Sequence, residues 1–250
     1  MPPLSTLAAG LFVLGVLLLV VGFAWMRLIG ADLGRARRLA GARGVAVADV
    51  LDLRRSPGRP VRVSGRIRCA EPLVMPDDER LVAYHRDVAV RMPSGRWRTI
   101  ERLREGRSFE LWDHAGSLVV DPAEAAEPLI TIPLVWEGRP DELEEPHASA
   151  VARLAARDGA PTAARAITRV ISVVDPLLVL ADVEIGPDGP RLVPPPGGYL
   201  VAGLELDAAM RILGGSRRRQ LMAAIGTGVA GTALLGAALV VALVGRLVGG

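Results

Sequence analysis

Two long runs of apolar residues stand near the ends of the chain, and a patterned central stretch lies between them. Leu221 to Val244 holds 24 residues without a charge, directly after Arg217-Arg218-Arg219-Gln220. At a rise of about 1.5 Å per residue it covers about 36 Å, enough to cross a hydrocarbon core of about 30 Å with some tilt. The run predicts a transmembrane helix. Leu4 to Met26 is equally free of charge and carries Phe23 and Trp25 near its end, at the level where aromatic rings favour lipid headgroups. No Lys or Arg precedes it and no small-residue cleavage site follows, so it reads as an uncleaved anchor rather than a signal peptide.

The central stretch changes period. Val61, Val63, Gly65 and Ile67 alternate with Arg62, Ser64, Arg66 and Arg68, which predicts a strand with one buried and one wet, basic face. Leu81 to Val90 is a second strand, and Pro93-Ser94-Gly95 turns the chain into a third, Arg96 to Leu103, as a hairpin. Ser108 to Trp112 and Ser117 to Val120 flank the turn Asp113-His114-Ala115-Gly116. Leu129 to Trp136 is extended but interrupted by Pro133, which argues for a sheet edge. Glu137 to Pro146 reads as an acidic loop, and Ala148 to Arg157 as a short helix ending at Gly159. Ile167 to Val174, Leu177 to Ile185 and Tyr199 to Val201 are further strands, before Glu205 to Ile212 leads into the last span. Gly30 to Gly44 reads as a juxtamembrane segment that can lie on the bilayer.

Charge adds an orientation. All 30 basic residues are Arg, a bias that, with abundant Ala, Gly, Pro and Val, points to a GC-rich, bacterial genome. Residues 27–107 carry 19 Arg against 10 acids, whereas residues 108–164 carry 3 Arg against 11 acids. Close to the inner ends of the spans stand Arg27, Arg35, Arg37, Arg38, Arg43, Arg211, Arg217, Arg218 and Arg219, against Arg246 alone outside. The positive-inside rule then places the central part in the cytoplasm and both termini outside. Arg35, Arg37, Arg38, Arg217, Arg218 and Arg219 are the expected contacts with anionic lipid, each worth about 1 kcal/mol near the surface. The acidic block Glu124 to Glu145 is the expected surface for a basic protein partner.

The motifs exclude more chemistry than they suggest. Gly226-Thr227-Gly228-Val229-Ala230-Gly231 spells G-x-G-x-x-G, but a dinucleotide turn needs a strand before it and an acid about 20 residues on, and no acid follows Asp207. The pairs Gly226 and Ala230, Gly228 and Thr232, and Thr232 and Gly236 instead predict a helix face that a neighbouring helix can approach, with homo-oligomerisation through this span as one outcome. The single cysteine, Cys69, rules out an intramolecular disulfide and a cysteine-built zinc finger, and reads as an inert thiol. His85, His114 and His147 have no metal-site spacing, and Asp77-Asp78-Glu79 reads as a solvated turn. The Arg86 to Arg107 stretch around Trp97 could grip a nucleic-acid strand, but interleaved Glu101 and Glu105 favour lipid contact or internal pairing. No cofactor or metal is expected. The one candidate catalytic constellation is Asp113, His114 and Arg86.

The order of parts resembles the GIDE domain family, also called BAM (beside a membrane), of MULAN-type mitochondrial ubiquitin ligases. Val61-Arg62-Val63-Ser64-Gly65-Arg66-Ile67 resembles its opening V-x-V-x-G-x-V, and Tyr84-His85-Arg86 its aromatic-arginine strand. Phe109-Glu110-Leu111-Trp112-Asp113-His114-Ala115-Gly116 and Val119-Val120-Asp121-Pro122 resemble its hairpin, Ala166 to Val183 its later strand pair, and Gly197 to Val201 its approach to the second span. The Ser-Pro-Leu and Cys usual before the aromatic strand are replaced by Met75-Pro76-Asp77-Asp78 and Leu81-Val82. The family's ligases carry a RING after the second span, which the six residues past Val244 do not hold. The resemblance therefore implies the non-RING part.

The sequence predicts an α+β membrane protein. Transmembrane helices at 4–26 and 221–244 flank one antiparallel, β-rich, barrel-like soluble domain with a short helix. That domain is made of a first part at 45–136, an acidic loop and helix at 137–164 and a second part at 165–206, with juxtamembrane segments at 27–44 and 207–220. The expected role is a plasma-membrane scaffold, sensor or interaction protein. The alternatives are an accessory to a separate ubiquitin-ligase effector, or an enzyme with a pocket around Asp113, His114 and Arg86.

Overall fold

The computed structural model describes residues 4–187, 189–215 and 218–248. The chain divides into two compact units, residues 39–212 and a helical unit made of residues 1–38 and 213–250.

The larger unit is α+β and is built on two sheets. The first starts at β1 (Arg43–Ala46), which runs parallel to the first half of β2 (Val61–Arg68). The short helix α2 (Val47–Leu51) lies between them and buries Val47 and Val50 completely. The alternation read from the sequence holds in β2: Val61, Val63 and Ile67 are buried, and Ser64 and Arg68 are exposed. Gly65 in this row is required by close approach, because a Cβ there would stand 3.0 Å from the Leu111 side chain and 3.1 Å from the Trp112 carbonyl. Arg62 donates from Nη1 to the Leu39 carbonyl at 2.8 Å, placing a cation at the carbonyl end of helix α1 (Leu4–Gly41).

The second sheet comprises β3 (Leu73–Val74), β4 (Arg80–Arg91), β5 (Trp97–Gly106), β8 (Leu134–Gly138) and β9 (Ala163–Ser172), in the order β3–β4–β9–β8 with β5 also on β4. Between β5 and β8 the chain returns to the first sheet as the hairpin β6 (Phe109–Asp113) and β7 (Gly116–Val120). Helix α3 (His147–Asp158) follows β8, and β10 (Leu177–Gly186), β11 (Gly189–Val193) and β12 (Leu200–Ala202) complete the first sheet before α4 (Leu206–Gly215). The first sheet runs β11–β10–β2–β6–β7, and β7 comes back against β11, so it is nearly closed into a barrel.

Its interior is filled by Val63, Phe109, Leu111, Val120, Val179 and Val201 from the strands, with Tyr199 among them. The Tyr199 hydroxyl donates to the Leu192 carbonyl at 3.1 Å, and burial pushes its pKa up to about 12. Gly198, at φ +88°, brings the backbone so close to Glu124 that a Cβ would lie 2.6 Å from that carbonyl.

Strand existence matches the alternation read from the sequence for β2, β4, β5, β6, β7, β8 and β12. The 167–174 and 177–185 segments, read as a strand pair, do not pair with each other. β9 lies between β4 and β8, whereas β10 lies between β2 and β11. The chain between them is a crossover, in which the Asp175 carboxylate accepts from the Ser172 amide at 2.8 Å. β1, α2, β3 and β11 are too short, or too close to Pro and Gly, to carry a readable period.

The helical unit holds most of α1 and all of α5 (Arg218–Val248). Residues 30–41 continue α1 and do not form a separate surface helix. The two helices pack antiparallel, since Gly15 stands against Gly231 and Leu235, and Gly22 against Ala224 and Gly228. A Cβ on Gly231 would meet the Gly15 carbonyl at 2.9 Å. On α5 the seam recurs every seven residues at Ala224, Gly231 and Ala238, which are buried, as are Gly15 and Gly22 on α1. Of the expected packing residues, Gly228 stands beside Gly22, whereas Gly226, Ala230, Thr232 and Gly236 are exposed outside the contact with α1. A period of seven keeps one stripe of an α-helix against an antiparallel neighbour.

Among the described residues, Ala223–Val244 is the one helical segment long and apolar enough to cross a membrane. Within α1 the apolar stretch among the described residues is Ala9–Ala24.

Candidate functional site

One face of the second sheet, the 142–146 loop and the start of α3 enclose a groove of about 660 Å³. Antiparallel register builds its floor. Val88 stands opposite Glu101, and Arg86 opposite Leu103 and Thr168, so Arg86 and Glu101 project from the same face two residues apart. Arg86 Nε lies 4.0 Å from Glu101 Oε2. The same carboxylate oxygen is 2.5 Å from Nε2 of His147, the first residue of α3, which is buried. Leu143, Val151 and Leu154 pack this corner onto Val88, Val90, Ala164 and Ala166.

The lining is part acidic and part apolar. Glu142, Glu144 and Glu145 of the loop line it together with Leu134, Val135 and Trp136 of β8, and the Glu142 carboxylate stands beside Gly138 at the end of β8. Glu145 accepts from the Ser149 amide at 3.4 Å, capping the first turn of α3, and from the Ser149 hydroxyl at 2.7 Å. The cluster of Arg86, Glu101 and His147 has the form of an oriented histidine-carboxylate pair. No hydroxyl or thiol hydrogen-bonded to the His147 ring is found among the described residues.

The opposite face of the same sheet carries a second charged cluster. His85 lies in one cross-strand row between Arg104 on β5 and Arg169 on β9. Arg104 donates from Nη2 to Asp87 at 2.8 Å and to Glu127 at 3.1 Å. Burial, followed by the Arg104 charge, lowers the His85 pKa below 6.5, and its Nδ1 is buried without a hydrogen-bond partner. Glu127 is held below the usual carboxylate range by its bond to Arg104.

The predicted catalytic residues separate. Arg86 belongs to the second sheet, whereas Asp113 and His114 lie at the β6–β7 turn of the first and do not line the groove. Asp113 accepts from the Ala115 amide at 2.8 Å and the Ala48 amide at 3.1 Å, which holds its pKa down and ties α2 to the hairpin. His114 is exposed and meets Trp112 edge-on at 6.4 Å.

Of the expected lipid contacts, Arg37 and Arg38 are exposed on α1 and Arg35 is half-buried there. Arg217 and the side chains of Arg218 and Arg219 lie outside the described residues. Within the stretch considered for nucleic acid, Arg86, Arg98, Arg102 and Arg104 pair with Glu101, Asp158, Asp87 and Glu127, and Arg165 stacks over Trp97 at 4.5 Å. Asp77-Asp78-Glu79 forms the β3–β4 turn with Asp78 at φ 64°, and no metal-binding group of His, Cys, Asp or Glu is found among the described residues. The Cys69 thiol faces the Ser108 carbonyl at 3.6 Å.

Sequence reading missed the Glu101–His147 contact, which joins residues 46 positions apart. The available signal was Pro146 before His147, a start for α3 one residue earlier than predicted. Comparison of the chain with protein-family models, curated proteins and solved structures finds no match.

Proposed function

We propose that this chain is a two-span membrane protein that holds its β-rich unit beside the bilayer as a scaffold or interaction module, in the manner of a beside-a-membrane domain. The observation that supports this most is the outward surface of the helical unit. Gly and Ala bring α1 and α5 close together, with Leu19 and Leu235 packed over the glycines, and many large side chains point away: Phe12, Val13, Leu17 and Val20 on α1, and Val229, Leu239 and Val240 on α5 are exposed. Apolar side chains around a helix pair suit a lipid solvent, in which small residues let helices approach. In water the same surface would be a large apolar patch.

The positive-inside count supports a cytoplasmic location for the β-rich unit. Alkaline carbonate extraction of membranes is the test, with the full chain expected in the pellet; release of the intact chain into the supernatant would refute anchoring. Labelling Cys69, the sole thiol, with membrane-impermeant maleimide tests orientation. Reaction only after the cytoplasmic side is opened is expected, and reaction from outside would reverse the topology.

A further inference from the structure

We propose that the outer edge of β8 is a strand-addition site for an extended, basic segment of another protein, an inference that rests on the reading of this chain as an interaction module. β8 pairs with β9 along one side, and no strand among the described residues pairs with the other. An unpaired edge templates further strand pairing unless it is blunted by inward charges, bulges or a covering element. Here Pro133 precedes the strand and Leu134, Val135 and Trp136 are 63%, 54% and 38% exposed. Pro133 and the shortness of β8 are protections of the edge, whereas the exposed Leu-Val-Trp run leaves an apolar surface along it.

Charge selects the occupant. Beside this edge lies the groove, whose loop side carries Glu142, Glu144 and Glu145. No ion pair to any of the three is found among the described residues. A second copy adding its own β8 would bring its Glu137 and the same loop carboxylates against these, and like charges across a strand pair are destabilising. An incoming strand with Arg or Lys at alternate positions instead places its cations on the groove side, while its intervening apolar side chains lie beside Val135. Backbone bonds along β8 supply affinity, and the acidic wall supplies selection.

The test uses the full chain in detergent micelles and fluorescence anisotropy with a labelled alternating Arg-Val peptide about eight residues long, enough to cover an average strand. The expected result is saturable binding that weakens at least about tenfold when alternate peptide amides are N-methylated, because the side chains and charge are then kept while strand pairing is lost. Glu142→Gln with Glu144→Gln is expected to weaken binding and flatten its salt dependence, and a Glu-Val peptide is expected not to bind. Val135→Pro is expected to weaken binding by a similar factor, and where that variant fails to fold, the N-methylated peptide still tests the idea on the unaltered chain.

Equal binding of the N-methylated and unmodified peptides would overturn the proposal. So would absence of binding, or a dimer in sedimentation that Val135→Pro returns to monomer, which would make the occupant a second copy. A chain that stays in carbonate-washed membranes yet ignores the peptide loses only this inference. One that washes off yet binds loses only the membrane reading.

Discussion

His85 carries a pH dependence that can be read from its surroundings. In the unfolded chain its ring titrates near 6.5, and in the fold burial and Arg104 hold it lower. The native state therefore binds the proton less well than the unfolded chain, so this contribution is complete above about 6.5 and is lost as pH falls toward the folded value. Glu127 follows the same sign in a lower window, beginning near its ordinary 4.5. Thermal midpoints recorded from neutral pH downward are expected to decline first below about 6.5, and His85→Asn should remove that first decline while leaving the second. An unchanged profile in His85→Asn would place the acid sensitivity elsewhere. The sequence showed only that His85 sits on a strand. Its neighbours come from β5, β9 and the 127 loop, and no local period encodes that meeting.

Between elements, the decisive contacts are the helix seam and the sheet order. Gly231→Val puts two methyl groups where the Gly15 carbonyl already stands within 2.9 Å of a Cβ, whereas Gly226→Val enters open space. The first should destabilise the helix pair by about 1–3 kcal/mol, the usual cost of overpacking, and the second by much less. Thermal unfolding of the full chain in detergent separates them, and equal effects would mean that the seam is not at Gly231. Small residues were legible in α5, but both the 226/230/232/236 set and the 224/231/238 set satisfy a small-residue pattern. Gly15 and Gly22 on α1 select the 224/231/238 set for this contact and leave 226, 230, 232 and 236 on the outer side of α5. Strand existence was legible wherever alternation ran long enough, as in β2 and β4. Pairing was not, because β9 and β10 carry similar apolar character while serving different sheets. The groove was legible in pieces: its acidic loop and its Pro-marked edge strand appear in the sequence, but their approach to Arg86 depends on α3 folding back over Val88 and Ala166.

For the molecule as a whole, the helical unit and the β-rich unit treat their hydrophobic residues differently. In the β-rich unit Val63, Leu111, Val120 and Val179 are fully buried, whereas in the helical unit Val20, Val229 and Leu239 stay uncovered. The blocks of opposite charge partly neutralise each other inside the β-rich unit, through Arg98 with Asp158 and Arg104 with Glu127. Glu142, Glu144 and Glu145 line the groove. Lowered ionic strength is therefore expected to strengthen capture of a basic peptide by the full chain.

The path of the backbone has one further consequence. It leaves the first sheet after β2, returns at β6, leaves again after β7 and returns at β10. The two layers are interleaved along the gene, so a C-terminal truncation anywhere between β2 and β9 removes strands from both, and neither layer can be expressed as a contiguous fragment. Fragments cut near residue 136 or 164 should accumulate as aggregates or proteolysed debris, each lacking half of its neighbours' pairing edges. Recovery of a soluble, cooperatively melting fragment spanning 45–136 alone would contradict that woven arrangement.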